Sequence, residues 1–430
     1  MNDTLPAADR PPAPAPAAPD GPRRVAFGLV LLAAAGCFAA TMGARQSMGL
    51  FLGDLNSHTG LGLANISLAF AFGQLWWGLT QPVAGIVADR IGAGRVIAAG
   101  IVLVALGTLM IPLMRSTGGL ILAIGVLAAG GAGLAGPSVL MAATARLTDP
   151  ARRGLASGIV NAGGSFGQFL FAPIAQAVGS AAGWAAAVQT LGLAALLALP
   201  AAWVLRGNAR HLAAGPGAAP GAAGERTGQA LRRALADPSY RLLAAGFFVC
   251  GFHVAFIATH LPGVVAACGL PPAVGAWAIA VIGLANIAGS LAMGWALSWR
   301  GGRWRMKSLL AGVYLARAVA VLVFLALPKT ATNLLVFSAV IGATYLSTVP
   351  PTAGLVARFF GPAHLATLFG VVMLAHQLGG FLGAYLGGRS VEWTGGYEAM
   401  WVADAVLAVA AALLHLPIRE PRPAGALRPA

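Results

Sequence analysis

Apolar residues run along this chain in blocks of about twenty, and short loops that collect glycine, proline and arginine separate the blocks. Roughly 20 such residues in a helix span the hydrocarbon core of a bilayer. By that measure the pattern predicts twelve membrane-spanning helices. The first six fall at residues 26–52, 65–88, 95–114, 118–145, 154–179 and 184–205. The second six fall at 240–261, 274–297, 306–327, 332–356, 365–388 and 398–416. Residues 206–239 form the one long polar connection, rich in Gly, Ala and Pro, and read as a cytoplasmic linker between two six-helix bundles, 25–205 and 240–418. Residues 1–24 and 419–430 read as cytoplasmic tails. The first is expected to be disordered, and it has no apolar core behind a basic start, as a signal peptide would. The expected fold class is therefore an all-α membrane protein.

Composition agrees. Of the 430 residues 58% are hydrophobic and 9% charged, against about 25% charged in soluble domains. The net charge of +15 would suit a nucleic-acid binder, but the arginines lie in loops and tails and form no binding stripe. Arg90, Arg95, Arg146, Arg152, Arg153, the linker arginines, Arg300, Arg303, Arg305 and Arg358 fall on one side of the predicted spans. Only Arg115, Lys329 and Arg389 fall on the other. Excess positive charge marks the cytoplasmic face, so both termini are expected there. Cys37, Cys250 and Cys268 have no metal-ligand spacing, and no cofactor or metal is expected. With no phosphate-cradling loop and no nucleophile-base arrangement, an enzyme is not expected, and any transport would draw on a gradient.

Ionisable groups inside a span cost several kcal/mol, so each needs a partner or a task. Arg45, with Gln46 beside it, sits two-thirds of the way along the first span. It could snorkel to headgroups, pair with Asp54, or hold an anion through two hydrogen bonds in a central cavity. His253 and His260, seven residues apart, share one face of the seventh span, and His376 lies near the middle of the eleventh. Such histidines either carry protons or hydrogen-bond neighbouring helices, and His253 and His376 are the candidates for proton coupling. Arg317 and Asp404, in the ninth and twelfth spans, are expected to neutralise each other as a structural pair. Gln74, Asn161 and Tyr345 join Arg45, Gln46, His253 and His376 as candidates for substrate contact. Glycines crowd the fourth, fifth and eleventh spans, where close helix packing is the expected role.

After the second span comes Gly85-Ile-Val-Ala-Asp89-Arg90-Ile-Gly92-Ala-Gly94-Arg95. This G-x-x-x-D-R-x-G-x-x-R pattern resembles the signature loop of the major facilitator superfamily. The resemblance implies a cytoplasmic latch in which Asp89 caps the neighbouring helix bundle and Arg90 and Arg95 tie the loop to adjacent helix ends, with Gly85 and Gly92 shaping it. At the matching place after the eighth span the acid is replaced by Ser298, so closure is expected to lean on Asp89. Within the superfamily the chain resembles the bacterial branch related to monocarboxylate and oxalate/formate transporters. Those relatives carry a cation in the eighth or eleventh span. Here residues 274–297 carry no charge, and the eleventh span offers His376.

What the resemblance implies is alternating access in the bacterial cytoplasmic (inner) membrane by a monomer. A small organic anion is held by Arg45 and movement is coupled to a proton. The competing expectation is a proton-driven drug exporter of the same fold. Such exporters carry an Arg before the Gly-x-Gly of the fourth span, where Leu127 stands here, and a Gly-Pro pair in the fifth, which residues 154–179 lack.

Overall fold

The structure, a computed structural model, describes residues 26–148, 152–206, 227–298, 304–361 and 365–421. The tail expectations for 1–24 and 422–430, most of the linker with Arg210 and Arg226, and the loop with Arg300 and Arg303 lie outside those residues. All the regular structure described is helical.

The first apolar block folds as α1 (Phe27–Ser47), a single 3-10 turn, and α2 (Leu52–Thr59), which ends where Gly60 takes φ 65°. α3 (Leu63–Ile91) follows, and Gly92 at φ 95° turns the chain into α4 (Ala93–Met110). A side chain at position 92 would be strained in that left-handed region, so the glycine of the signature loop has a backbone reason. The fourth block is broken into α5 (Thr117–Leu120), a π-helical stretch (Ile121–Ala128), α6 (Ala129–Leu134) and α7 (Pro137–Leu147). α8 (Arg153–Ala182), α9 (Trp184–Leu196) and α10 (Leu199–Val204) complete the first half.

The connection between the halves is less bare than expected. Thr227–Ala236 forms α11, which buries Ala230 and Ala234 on one face. Asp237 then caps α12 (Pro238–Ala267), accepting hydrogen bonds from the Ser239 and Tyr240 amides at 2.7 and 3.1 Å. An Asp-Pro pair at the cap and first helical position is a start signal. The seventh helix thus begins two residues earlier than its apolar block. α13 (Pro272–Ser298), α14 (Met306–Ala326), α15 (Ala331–Thr344), α16 (Val349–Phe360), α17 (Leu365–Thr394) and α18 (Glu398–His415) follow.

Burial divides the molecule at the linker. Two hydrophobic clusters draw only on residues 30–205, and a third only on 231–418. Across the divide lies a small cluster of Ala71, Ala255 and Ala384 with Phe381 and Tyr385. Within the halves, α1 packs on α8 and α12 on α17; between them, α3 packs along α17 and α8 along α13. Lipid supplies no hydrophobic drive between helices, so backbone approach carries this packing. A Cβ on Gly167 would overlap the Ala39 carbonyl, and one on Gly379 the Phe248 carbonyl.

Among the described residues, ten helical stretches rather than twelve are long and apolar enough to cross a membrane. α3 and α8, at 29 and 30 residues, have the length but not the apolarity. They carry Gln74, Gln81, Asn161 and Gln168, and of the first-half helices they pack most extensively against the second half. Polarity at the seam is what lowers them.

Candidate functional site

α1 winds down into its 3-10 turn beside α3, the π-helical stretch and α12, and these elements enclose a cavity of about 50 Å³. Arg45, Gln46 and Gln74 line it, with Thr108, Thr259 and apolar residues such as Phe70. Arg45 is half-buried, and its guanidinium lies over the Trp77 ring at 5.0 Å from the centroid. Neither Asp54 nor any other carboxylate among the described residues pairs with it. Gln46 reaches the buried Gln168 of α8 at 3.4 Å, and Gln74 sits against Gly380 of α17. The cavity therefore presents one unpaired cation, two carboxamides and two hydroxyls behind apolar walls.

The other candidates stand elsewhere. Tyr345 lies in the break between α15 and α16, close enough to Arg45 to interact with its charge, and its hydroxyl donates to the Val254 carbonyl at 2.9 Å. Asn161 is half-buried on α8 and does not line the cavity. His253 and His376 do not line it either. His253 turns toward α18, where its Nε2 comes within 3.2 Å of Asp404 without hydrogen-bond alignment. His376 packs against Phe247 at 4.9 Å and beside Cys250, and its Nδ1 has no partner.

Arg317 and Asp404 are both buried, but the expected direct pair is not formed. Arg317 donates to the Cys250 sulfur at 3.4 Å, to the Tyr345 carbonyl at 2.7 Å, and to the Thr344 carbonyl. The break at Tyr345–Thr348 is what frees the Tyr345 carbonyl, because Val349 donates instead to Leu346, ahead of two prolines. Arg317 is within reach of Asp404's charge, yet His253 is that carboxylate's nearest partner. The seven-residue spacing gave His253 a helix face but could not say which neighbour that face meets.

At the Gly92 end, Asp89 pairs with Arg146 at the foot of α7, inside the first half. Arg90 is exposed, Arg95 reaches the Ile91 carbonyl at a long 3.4 Å, and Gly85 has open space around it. In the second half Arg358, at the foot of α16, pairs with Glu420, whose two oxygens also accept the Met306 and Lys307 amides at 3.1 and 3.2 Å. A carboxylate thus serves the second half despite the serine at position 298, but it comes from beyond the last span.

Two groups at the seam escaped the sequence reading. Glu392, near the end of α17, accepts the Ala64 amide at the start of α3 at 3.1 Å and pairs with Arg389 at 2.9 Å. Gln377 is buried against Gly78 of α3, and neither end of its amide has a partner. It follows His376 directly, and a helix sends adjacent side chains to different faces, so one meets its own half and the other meets the opposite half.

Residues 30–327 match the family model of the Major Facilitator Superfamily. The chain belongs to the major facilitator superfamily. It is a multi-pass membrane transporter, and curated relatives are named monocarboxylate transporters, the likeness its residues suggested. Monocarboxylate transporter 13 of Rattus norvegicus is 25% identical over 90% of this chain and 88% of its own length. Monocarboxylate transporter 11 of Mus musculus is 27% identical over 93% and 89%. A solved structure of a bacterial homolog of the human lysosomal transporter Spinster, inward-facing and unoccupied, superposes with a TM-score of 0.68 at 18% identity, covering 90% of this chain and 96% of that one. That likeness speaks for the fold alone.

Proposed function

We propose that this transporter moves a small monocarboxylate-like organic anion across the bacterial cytoplasmic membrane by alternating access between two six-helix halves. Both termini are cytoplasmic, the monomer is the working unit, and α3 and α8 count among twelve spans. The observation that carries this reading is Arg45, a cation in an enclosed polar cavity with no carboxylate of its own. Holding such a charge away from water is costly unless something compensates it, and an anionic substrate does so with bidentate geometry. The walls contributed by α12 come from the opposite half, so opening one face of the seam would open the cavity.

Proton coupling is assigned to His253 and His376. Both lie beside the Cys250–Arg317 contact, and Arg317 holds the break that carries Tyr345 next to Arg45. A proton taken up at either histidine changes the charge around that break. The proton and the anion would therefore be felt at one hinge. Asp89, Arg90 and Arg95, with Gly85 and Gly92, latch the arginine-rich face when it closes.

The test is counterflow in proteoliposomes with lactate, pyruvate, oxalate and formate, an amphipathic cationic dye as the competing solute, and two external pH values. Carboxylate uptake should rise with an inward proton gradient. In Arg45→Ala it should fall by at least about thirty-fold, which corresponds to roughly 2 kcal/mol for a desolvated charge contact. Uptake that survives in a folded Arg45→Ala protein would remove the reading, and dye movement without carboxylate movement would put a drug exporter in its place.

A further inference from the structure

A second cavity, about 490 Å³, opens at the arginine-rich end between the Gly92 turn, α4 and α10. Its size falls in the range of about 300–1,000 Å³ usual for ligand sites. Arg95 and Arg206 line it, with Gly92, Gly94, Leu199 and Trp203. Gly94 brings α4 hard against the end of α10, since a Cβ there would stand 2.6 Å from the Ala202 carbonyl oxygen. The two arginines are thereby held on either side of one opening. Neither forms an ion pair among the described residues. The Arg206 guanidinium stacks on Trp203 at 4.1 Å, and that indole is 65% exposed.

We infer that this cavity binds the phosphate headgroup of an anionic phospholipid, with the acyl chains lying along Trp203. Two unpaired guanidiniums supply the charge complement, and planar fork donors suit phosphate oxygens. Tryptophan beside arginine at the end of a spanning helix is the composition of the membrane interface. The inference does not depend on what the transporter carries.

Native mass spectrometry of the full chain released from detergent, with phosphatidylglycerol, phosphatidylcholine of matched chains and inorganic phosphate, tests it. Phosphatidylglycerol should be retained in preference to phosphatidylcholine. Each juxtamembrane arginine contributes about 1 kcal/mol toward an anionic lipid, so Arg206→Gln should weaken retention about five-fold and the Arg95→Gln/Arg206→Gln pair about twenty-five-fold. Arg115→Gln, at the opposite end, should leave retention unchanged, and excess inorganic phosphate should not displace the lipid. Equal retention of the two lipids, an unaltered double variant, or an equal loss in Arg115→Gln would each overturn the assignment. Displacement by inorganic phosphate alone would make this a free-anion site. Should the double variant fail to fold, Arg206→Gln alone decides.

Discussion

The two ends of the molecule hold their charges in different ways. At the Gly92 end two carboxylates each serve their own half: Asp89 pairs with Arg146, and Glu420 with Arg358. At the end carrying the Gly60 and Gly395 turns, Glu392 of the second half takes an amide from the first. There a Cβ on Gly49 would overlap the Ala258 carbonyl, and one on Gly388 the Ser67 side chain, so the halves meet almost backbone to backbone. At the other end Val83, Ile86, Leu155 and Leu291, on the helices that form the seam, remain exposed. Charges that brace one half leave the halves free to part, whereas a charge shared between them opposes parting. On the function proposed above, the Glu392 end is the one held shut between the halves, and the arginine-rich end is the one freer to part.

The comparison is tested most severely where the bracing is most buried. The Glu420 side chain is only 2% exposed and holds Arg358 together with two backbone amides. Removing Glu420 leaves Arg358, itself 22% exposed, and two backbone amides without their acceptor, at a cost of about 1–3 kcal/mol. Glu420→Ala should therefore lower the melting temperature in detergent markedly while the Glu392 contact and the direction of cavity access stay as they are. A variant that melts normally would show that the second half does not rely on this brace.

Glu392→Ala should do the reverse. Its contacts are partly exposed, with Glu392 at 35%, and a carboxylate at a helix start contributes about 1 kcal/mol. Loss of that much should shift the balance of open faces about five-fold and should leave the melting temperature nearly unchanged. The readout is labelling of a cysteine placed at Thr259, in the cavity wall, by an impermeant maleimide added from the Gly60 and Gly395 side. Labelling no faster than in the parent with that cysteine alone would mean that backbone packing, and not Glu392, keeps this end shut.

Much of this architecture could be read in advance because lipid makes the rules strict. A span must be long, apolar and helical, so the blocks gave the helix starts to within two residues, while the helices ending at Thr59, Ala267 and Thr394 run six or seven residues past their blocks. Arg45 stands out for the same reason, since a cation in an apolar run needs a partner or a task. Contacts between distant segments were a different matter. Glu392 and Ala64 are 328 positions apart, and neither carries a motif; only the way α3 lies along α17 brings them together. Asp89 was picked out by its loop, but its partner Arg146 depends on where α7 ends. The Asp404 contact of His253 required knowing which way the α12 face points. The α11 helix is masked in the sequence by a linker that is Gly/Ala/Pro-rich overall, although Ala230 and Ala234 stand four apart and share a face.

The finest test concerns the latch that the signature loop suggested. Asp89 and Arg146 are 63% and 36% exposed, and exposed pairs contribute about 0.2–1 kcal/mol. Among the described residues the ion pair of Asp89 is with Arg146 of its own half, so Asp89→Asn should barely alter stability or the labelling from the Glu392 side. Its proposed work comes when the arginine-rich face closes and the loop meets the other half. Turnover should then slow by a few-fold at most, with the substrate concentration for half-maximal uptake unchanged. An unaltered rate would confine Asp89 to bracing α3 against α7. A change in substrate affinity without a change in rate would place its influence at the cavity, which no contact of Asp89 in this conformation supports.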